Sequence, residues 1–338
     1  MPLHDVGYRS WGGDKSPALG RWWTVASTGV RLAFRSSWLS RMLILSWVPA
    51  IIAGAWFFLF EQSIVNVQYR QLVRPIVLAS GASSQLALSV LTDPADARHE
   101  VWASMLLVFF RYPQCVLMLI VVGLVAPRLI SADLRNRGYL LYFSRPLNLW
   151  EYMLGKAFII WTFLALITTL PALLLYFVGL CLSPDMTVLW STWDLPIRIV
   201  AASIVLMVPV SVVALACSAM TVETRYAAFN WFAIWVVGWV SFSVLRLGEA
   251  AVLRRDGPRF GRSFRNRGRF PDENATDLIA PSNWELLSPF HVLGRVQQYV
   301  FGLYPDDQAI TAYVGILVTV SLVSVWFIRR RVLSRFQA

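Results

Sequence analysis

Charged residues are scarce in this chain of 338 residues: they make up 14% of it, whereas apolar residues make up 57%. A water-soluble domain usually carries about a quarter charged residues, so this composition excludes an ordinary soluble globular protein. The 16 Trp and 20 Phe exclude an intrinsically disordered chain. The composition therefore predicts a protein that uses most of its length to span a membrane.

Side chains that bind metals or carry redox chemistry are also few. The three cysteines and three histidines stand far apart in the sequence: Cys115, Cys181, Cys217, His4, His99 and His291. Metal centres and redox motifs need closely spaced groups of such residues, so we predict neither kind of site. We interpret the cysteines as small buried hydrophobic residues.

Long apolar runs without charge are present, and six of them can cross a hydrocarbon core that needs about 20 helical residues. The first is Met42 to Phe60, and the second begins near Val101 and ends at Ala126. The others are Ala157 to Leu182, Ile199 to Met220, Tyr226 to Leu245 and Ala309 to Ile328. Arg111 interrupts the second run, and we expect its long side chain to reach the headgroup layer far from the cytoplasm.

The net charge of +11 lies mainly at the ends of these runs, which is typical of topology markers and lipid contacts and not of nucleic-acid binding. Arginines or lysine precede the first span, join the second to the third and follow the sixth, so six spans place all three groups on one side. The positive-inside rule makes that side the cytoplasm, with both termini there. The loop 246–308 falls outside although it is rich in Arg from Arg254 to Phe270, since long loops cross largely regardless of charge.

The resulting fold class is an all-α integral membrane protein whose six transmembrane helices follow an interfacial amphipathic helix. That helix is predicted between Gly20 and Arg41, where Trp and other apolar residues alternate with arginines. Residues 1–41 form the cytoplasmic tail and interfacial helix, 42–330 the six-span domain, and 331–338 a cytoplasmic tail. The six-span domain includes a cytoplasmic loop 127–156 and the outer loop 246–308.

Within the six runs, Arg111 is the only Asp, Glu, Lys, Arg or His residue. Ion-coupled transporters and intramembrane proteases need ionisable groups at depth, so both are disfavoured. A phosphate-binding loop is also absent from the sequence: Gly155 and Lys156 are adjacent, but Trp150 and Ala157 occupy the positions of its first Gly and its hydroxyl. We therefore predict no cofactor in this chain, and any energy for transport must come from a partner.

The cytoplasmic loop from Ala126 to Lys156 is the most informative segment. Its apolar residues have helical spacing, with Asp133, Arg135 and Arg137 placed among them. Ser144, Arg145 and Pro146 then break the pattern. Asn148 and Glu151 have the spacing of a capping box that begins the third span. The segment predicts a short cytoplasmic helix, a turn, and a helix continuous with a membrane span.

The run ISADLRNRGYLLYFSRPLNLWEYMLGK resembles the signature of type-2 ATP-binding-cassette exporter permeases, with Ser-Arg-Pro followed by Gly-Lys at the foot of the third span. The segments ALACSAMTVETRYAAFNW and LLSPFHVLGRVQQYVFGLYPDDQAITAYVGILV are similar to that family's inside turn and to its outer segment before the last span. The resemblance covers the chain from about Arg128 to its end. The Arg-rich segment departs from the family's compact pattern.

This resemblance implies a permease subunit in the cell (inner) membrane that pairs with a second permease copy or homologue and binds separate ATPase subunits, which hold ATP and Mg. The family's coupling helix falls on roughly Ser131 to Ser144. It implies ATPase contacts by Asp133, Arg135, Arg137 and Tyr139, while Arg145 and Pro146 fix the turn. The cargo expected for spans without buried charge is hydrophobic or amphipathic.

Other interpretations of the sequence stay open at this point. The loop charges could mark the cytoplasmic face and bind lipid. The chain could be a non-transporting membrane scaffold that anchors a soluble complex through the same loop. An enzyme that acts on lipids at the outer face is a third class, but the sequence has no visible pair of nucleophile and base for it.

Overall fold

The computed structural model describes residues 20–79, 84–138, 147–183, 187–256, 283–303 and 307–334, and these contain helices and turns but no strand. In chain order the α-helices are α1 (Arg21–Phe34), α2 (Ser37–Leu45), α3 (Val48–Val65), α4 (Val67–Ala79), α5 (Ser84–Thr92), α6 (Arg98–Phe109), α7 (Cys115–Arg135), α8 (Leu149–Leu164), α9 (Leu170–Leu182), α10 (Val188–Ser191), α11 (Leu195–Met220), α12 (Thr224–Asp256), α13 (Pro289–Val300) and α14 (Asp307–Ser334). Short π-helical segments, Phe110–Gln114 and Ala165–Thr169, join α6 to α7 and α8 to α9.

Six helical stretches are long and apolar enough to cross a membrane, which confirms the predicted all-α class and the six spans. We call them the first to sixth spans: Ser37–Val65, Arg98–Arg135, Leu149–Leu182, Leu195–Met220, Thr224–Gly248 and Ile310–Ser334. The second span is the most buried, at 67% of its apolar window, and the sixth is the least, at 17%. The second span is therefore the centre around which the others pack.

The core residues form two clusters at opposite halves of the bundle. The ends of the spans that contribute to each cluster show that consecutive spans run in opposite directions. One cluster holds the start of the first and third spans and the end of the second, fourth and sixth, including Leu39, Ile160, Val125, Leu215 and Val332. The other cluster holds the opposite ends of the first four spans, including Phe60, Trp102, Tyr176 and Ile199. We call the end nearest the first cluster the basic end, defined by Arg128, Arg135, Lys156 and Arg225.

The helices extend beyond the apolar runs of the sequence, and the extensions carry buried charges. The first span continues past Phe60 to Val65, so Glu61 lies inside it, with only 1% of its side chain exposed. Arg98 Nη2 lies 3.1 Å from Glu61 Oε2, and Trp102 Nε1 donates to Glu61 Oε1 at 3.0 Å. The expectation that Arg111 is the only charge within the spans is therefore wrong for the helices as they fold, because paired charges are tolerated where unpaired ones are not.

Between the fifth and sixth spans the chain re-enters the bundle. Glu285, in the short helix Asn283–Leu287, accepts two hydrogen bonds from Arg295 of α13, at 2.8 and 3.0 Å, and one from Tyr313 of the sixth span at 3.1 Å. A Cβ atom at Gly238 would lie 2.6 Å from Pro289 Cδ, so α13 begins against the fifth span near its middle. These contacts fix α13 to both neighbouring spans.

Arg111 lies beside this outer segment. A Cβ atom at Gly294 of α13 would lie 3.1 Å from Arg111 Nε, and the guanidinium carbon lies 5.8 Å from the centre of the Phe290 ring. Its position in a headgroup layer stays a prediction. The Arg-rich segment is described only as far as Asp256, and the rest of it lies outside the described residues.

The helix predicted between Gly20 and Arg41 is divided in two. α1 ends at Phe34, and α2, which begins at Ser37, belongs to the first span. The break falls at Arg35 and Ser36, where Ser36 takes an extended conformation with ψ 111°. α1 packs against the third span, where the rings of Trp22 and Phe158 meet edge to face with their centres 5.3 Å apart. Whether α1 lies in a headgroup layer stays a prediction.

Candidate functional site

The predicted coupling helix from Ser131 to Ser144 is not a separate element at its start. α7 runs without interruption from Cys115 to Arg135, so Ser131, Asp133 and Arg135 occupy the last turns of the second span. Asn136 ends the helix, and Arg137 follows in the left-handed region with φ 51°. The loop predicted over 127–156 is correspondingly shorter, since helix occupies it up to Arg135 and again from Leu149. Tyr139, Arg145 and Pro146 lie outside the described residues.

The helix continues past Pro127, and a neighbouring span forms hydrogen bonds with the turn that follows this proline. Proline lacks an N–H and its ring clashes with the preceding turn, so it normally kinks or ends a helix. Ser218 Oγ of the fourth span accepts from the backbone N–H groups of Ile130 and Ser131, both at 3.1 Å, and donates to the Pro127 carbonyl oxygen at 3.0 Å. Ser131 Oγ also donates to that carbonyl. The fourth span therefore supports the end of the second.

Asp133 joins the second span to the third. Its Oδ2 lies 2.9 Å from Lys156 Nζ and accepts a hydrogen bond of 2.7 Å from the Tyr152 hydroxyl. Only 18% of the Asp133 side chain and 8% of the Lys156 side chain are exposed. Asp133 is thus turned towards the third span, where it holds the two spans together.

Of the described members of the predicted contact set, Arg135 and Arg137 are exposed, whereas Asp133 is largely buried. The capping box predicted at Asn148 and Glu151 is present, and the Asn148 N–H donates to Glu151 Oε2 at 2.8 Å. The fifth span begins beside this site, where Thr224 Oγ1 lies 3.3 Å from Ser131 Oγ. Parts of the second, third, fourth and fifth spans therefore meet at the basic end.

A cavity of about 1730 Å³ opens at the same end, between α1, α2 and the second and third spans. Its wall carries the cationic side chains of Arg21, Arg35, Arg128, Arg135, Lys156 and Arg225, with Asp133 as the one acidic residue. The remaining wall is largely apolar and includes Val25, Leu32, Leu39, Leu129 and Ile159. This combination can bind a ligand that is anionic at one end and apolar at the other.

The sequence did not reveal this cavity, because it is formed by segments more than a hundred residues apart. Gly155 is one sequence feature that could have indicated a close approach of another segment. A Cβ atom there would lie 2.9 Å from Val25 Cβ and 3.0 Å from the Trp22 carbonyl oxygen. α1 therefore approaches the third span closely at the edge of the cavity. The ion pair of Asp133 had a signal too, because Lys156 is one of two lysines in the chain.

Among the described residues, no group of three His, Cys, Asp or Glu side chains is placed to hold a metal ion. Compared with known proteins, the chain matches no family model and no curated protein sequence.

Proposed function

We propose that this chain is the membrane-spanning subunit of an ATP-driven exporter of the type-2 ATP-binding-cassette class, in the cell (inner) membrane. In this proposal it pairs with a second permease copy or homologue, and separate ATPase subunits bind ATP and Mg at the basic end. The cargo is hydrophobic or amphipathic. Both termini face the cytoplasm, and α1 lies at the cytoplasmic headgroup layer.

One observation carries the proposal: the end of the second span is braced on two sides and still presents Arg135 and Arg137 to solvent. Ser218 braces it against the fourth span, and the pair of Asp133 with Lys156 braces it against the third. A force applied at the exposed arginines would therefore move several spans together. Such a rigid connection is what a transporter without its own ATPase needs.

The bracing also assigns different roles within the predicted contact set. Asp133 is largely buried in its ion pair and acts by positioning the end of the second span. Arg135 and Arg137 provide positive charge to an acidic surface on the ATPase. Tyr139, Arg145 and Pro146 remain predicted members of the same contact surface.

The test is to purify the full chain from its native membrane together with any bound ATPase and to identify that ATPase by its phosphate-binding loop. We expect the double variant Arg135→Glu and Arg137→Glu to lower permease-dependent ATP hydrolysis at least tenfold. Arg41→Glu is the matched control, because Arg41 is exposed on the first span but belongs to neither the bracing contacts nor the cavity wall. It should leave hydrolysis unchanged.

The scaffold alternative predicts a different result. A scaffold would retain a soluble partner whose identity is not an ATPase, or an ATPase whose hydrolysis rate is the same with and without the permease. Either result would contradict the exporter proposal.

A further inference from the structure

The described residues of the cavity wall at the basic end carry six cationic side chains and one acidic side chain. Lys156 is paired with Asp133, the one acidic residue of the wall. In the described part of the chain, Arg35, Arg128 and Arg225 form no ion pair. Arginines that share a cavity without a counter-charge repel one another, and an anion between them removes that repulsion.

Arginine favours one kind of anion in particular. Its planar guanidinium presents several N–H donors in a fixed fork that matches the oxygens of a phosphate or carboxylate. Arg35 follows α1, Arg128 lies in α7 and Arg225 in α12, so they approach the cavity from three elements. A phosphate group can accept hydrogen bonds from several such directions at once.

The apolar part of the wall distinguishes a lipid from a water-soluble phosphate. Leu32 and Trp38 line the cavity and are 65% and 63% exposed, and Leu124 is 39% exposed. The cavity therefore opens over an apolar surface that a soluble anion does not need and that hydrocarbon chains would cover. The volume of about 1730 Å³ also exceeds the roughly 300–1,000 Å³ of usual small-molecule sites.

We infer that this cavity binds a membrane lipid with an anionic phosphate headgroup. The phosphate lies between Arg35, Arg128 and Arg225, and the acyl chains leave past Leu32 and Trp38 into the bilayer. The predicted topology places the basic end at the cytoplasmic leaflet, which carries anionic lipids. The bound lipid connects α1 to the second span, at whose end Arg135 and Arg137 lie. The inference goes beyond the exporter proposal and holds for the scaffold alternative as well.

The experiment measures lipid binding to the purified full chain by native mass spectrometry. The probes are phosphatidylglycerol, phosphatidylcholine with the same acyl chains, and glycerol phosphate as the headgroup without chains. We expect phosphatidylglycerol to bind at least tenfold more tightly than either of the others. The double variant Arg128→Gln and Arg225→Gln should weaken phosphatidylglycerol binding at least fivefold, and Arg41→Gln should not change it.

A second variant tests the cavity without changing charge. Thr28 is an exposed residue of the cavity wall on α1, so Thr28→Trp fills space there with little risk to folding. We expect it to reduce phosphatidylglycerol binding as well. Equal binding of the two phospholipids would overturn the inference. So would a loss of phosphatidylglycerol binding in the Arg41→Gln variant as large as that in the double variant, because it would indicate attraction by surface charge in general. Glycerol phosphate bound as tightly as the lipid would identify a soluble phosphate as the ligand and overturn it too.

These outcomes are separate from those of the exporter proposal. Arg128 and Arg225 are not members of the predicted ATPase contact set, so ATP hydrolysis is not the measured quantity. Loss of lipid binding with normal ATPase stimulation, or the reverse, shows which of the two proposals fails.

Discussion

The hydroxyl group of Ser218 donates a hydrogen bond of 3.0 Å to the carbonyl oxygen of Pro127, and this contact joins the fourth span to the second at a proline within its helix. The same hydroxyl accepts from two backbone N–H groups of the following turn. A single serine thus forms hydrogen bonds with three buried backbone groups of the second span. The end of the second span depends on this contact for its position.

Ser218→Ala should therefore destabilise the protein. Loss of the hydroxyl removes its three hydrogen bonds to buried backbone groups of the second span, which we expect to cost about 1–3 kcal/mol in total. Chemical or thermal unfolding of the purified chain in detergent measures the change. Ser203→Ala is the matched control in the same span, because the Ser203 hydroxyl is equally buried but donates only to the Ile199 carbonyl of its own helix. An effect of equal size at both positions would contradict this assignment.

The ion pair between Asp133 and Lys156 predicts coupling between two substitutions. Lys156→Met leaves the Asp133 carboxylate largely buried with the Tyr152 hydroxyl as its remaining described partner, so we expect a loss of about 2 kcal/mol, typical of a hydrogen bond to a charged group. Adding Asp133→Asn removes the unpaired charge, so the double variant should be more stable than the sum of the single changes predicts.

The measurement is a double-mutant cycle of unfolding free energies for these two positions. Strict additivity of the two changes would show that the pair does not stabilise the contact between the second and third spans. Asp133→Asn should also lower ATPase stimulation less than the double variant at Arg135 and Arg137, because it removes a bracing contact and no exposed charge.

Much of this fold could be predicted from the sequence, because bilayer thickness sets a length that an apolar run must reach. The six spans and the capping box at Asn148 depend on local residue patterns, and both were found. The continuation of the second span to Arg135 was not predicted, since a proline normally ends or kinks a helix and the Ser218 contacts after Pro127 come from a residue distant in the sequence. The burial of Glu61 was missed for the same reason: its partner Arg98 lies on another helix.

Arg137 offers a substitution that separates stability from function. Its φ of 51° places a side chain with a Cβ in the left-handed region, which costs roughly 1 kcal/mol relative to glycine. Arg137→Gly should therefore raise the unfolding free energy by about that amount and still weaken the contact with the ATPase. Arg137→Ala removes the charge but keeps the Cβ, so it should lower ATPase stimulation without stabilising the protein. Stimulation unchanged in both variants would remove Arg137 from the proposed contact surface.

The lowered pKa of His291 predicts how the stability of the protein changes with pH. Burial, together with the charges of Arg111, Arg246 and Arg295, lowers its pKa from 6.5 to about 4, and the charge of Glu285 opposes this only in part. The pKa of Glu285 is also lowered. Burial raises this pKa, but the hydrogen bonds and charge of Arg295, together with the Tyr313 hydroxyl, lower it by more.

The direction of the effect follows from proton binding. Between pH 6.5 and about 4 the unfolded chain binds a proton at His291 that the folded chain does not, so stability falls as the pH is lowered through this range. Unfolding of the His291→Gln variant should show a smaller loss over the same range. His99→Gln is the control, because His99 contacts Asp194 at the start of the fourth span and is not among the charged groups that shift the pKa of His291. The His99→Gln variant should retain the pH dependence of stability that His291 produces. If the His291→Gln variant lost as much stability over this range as the unchanged protein, the pH dependence would be assigned to Glu285 and other carboxylates.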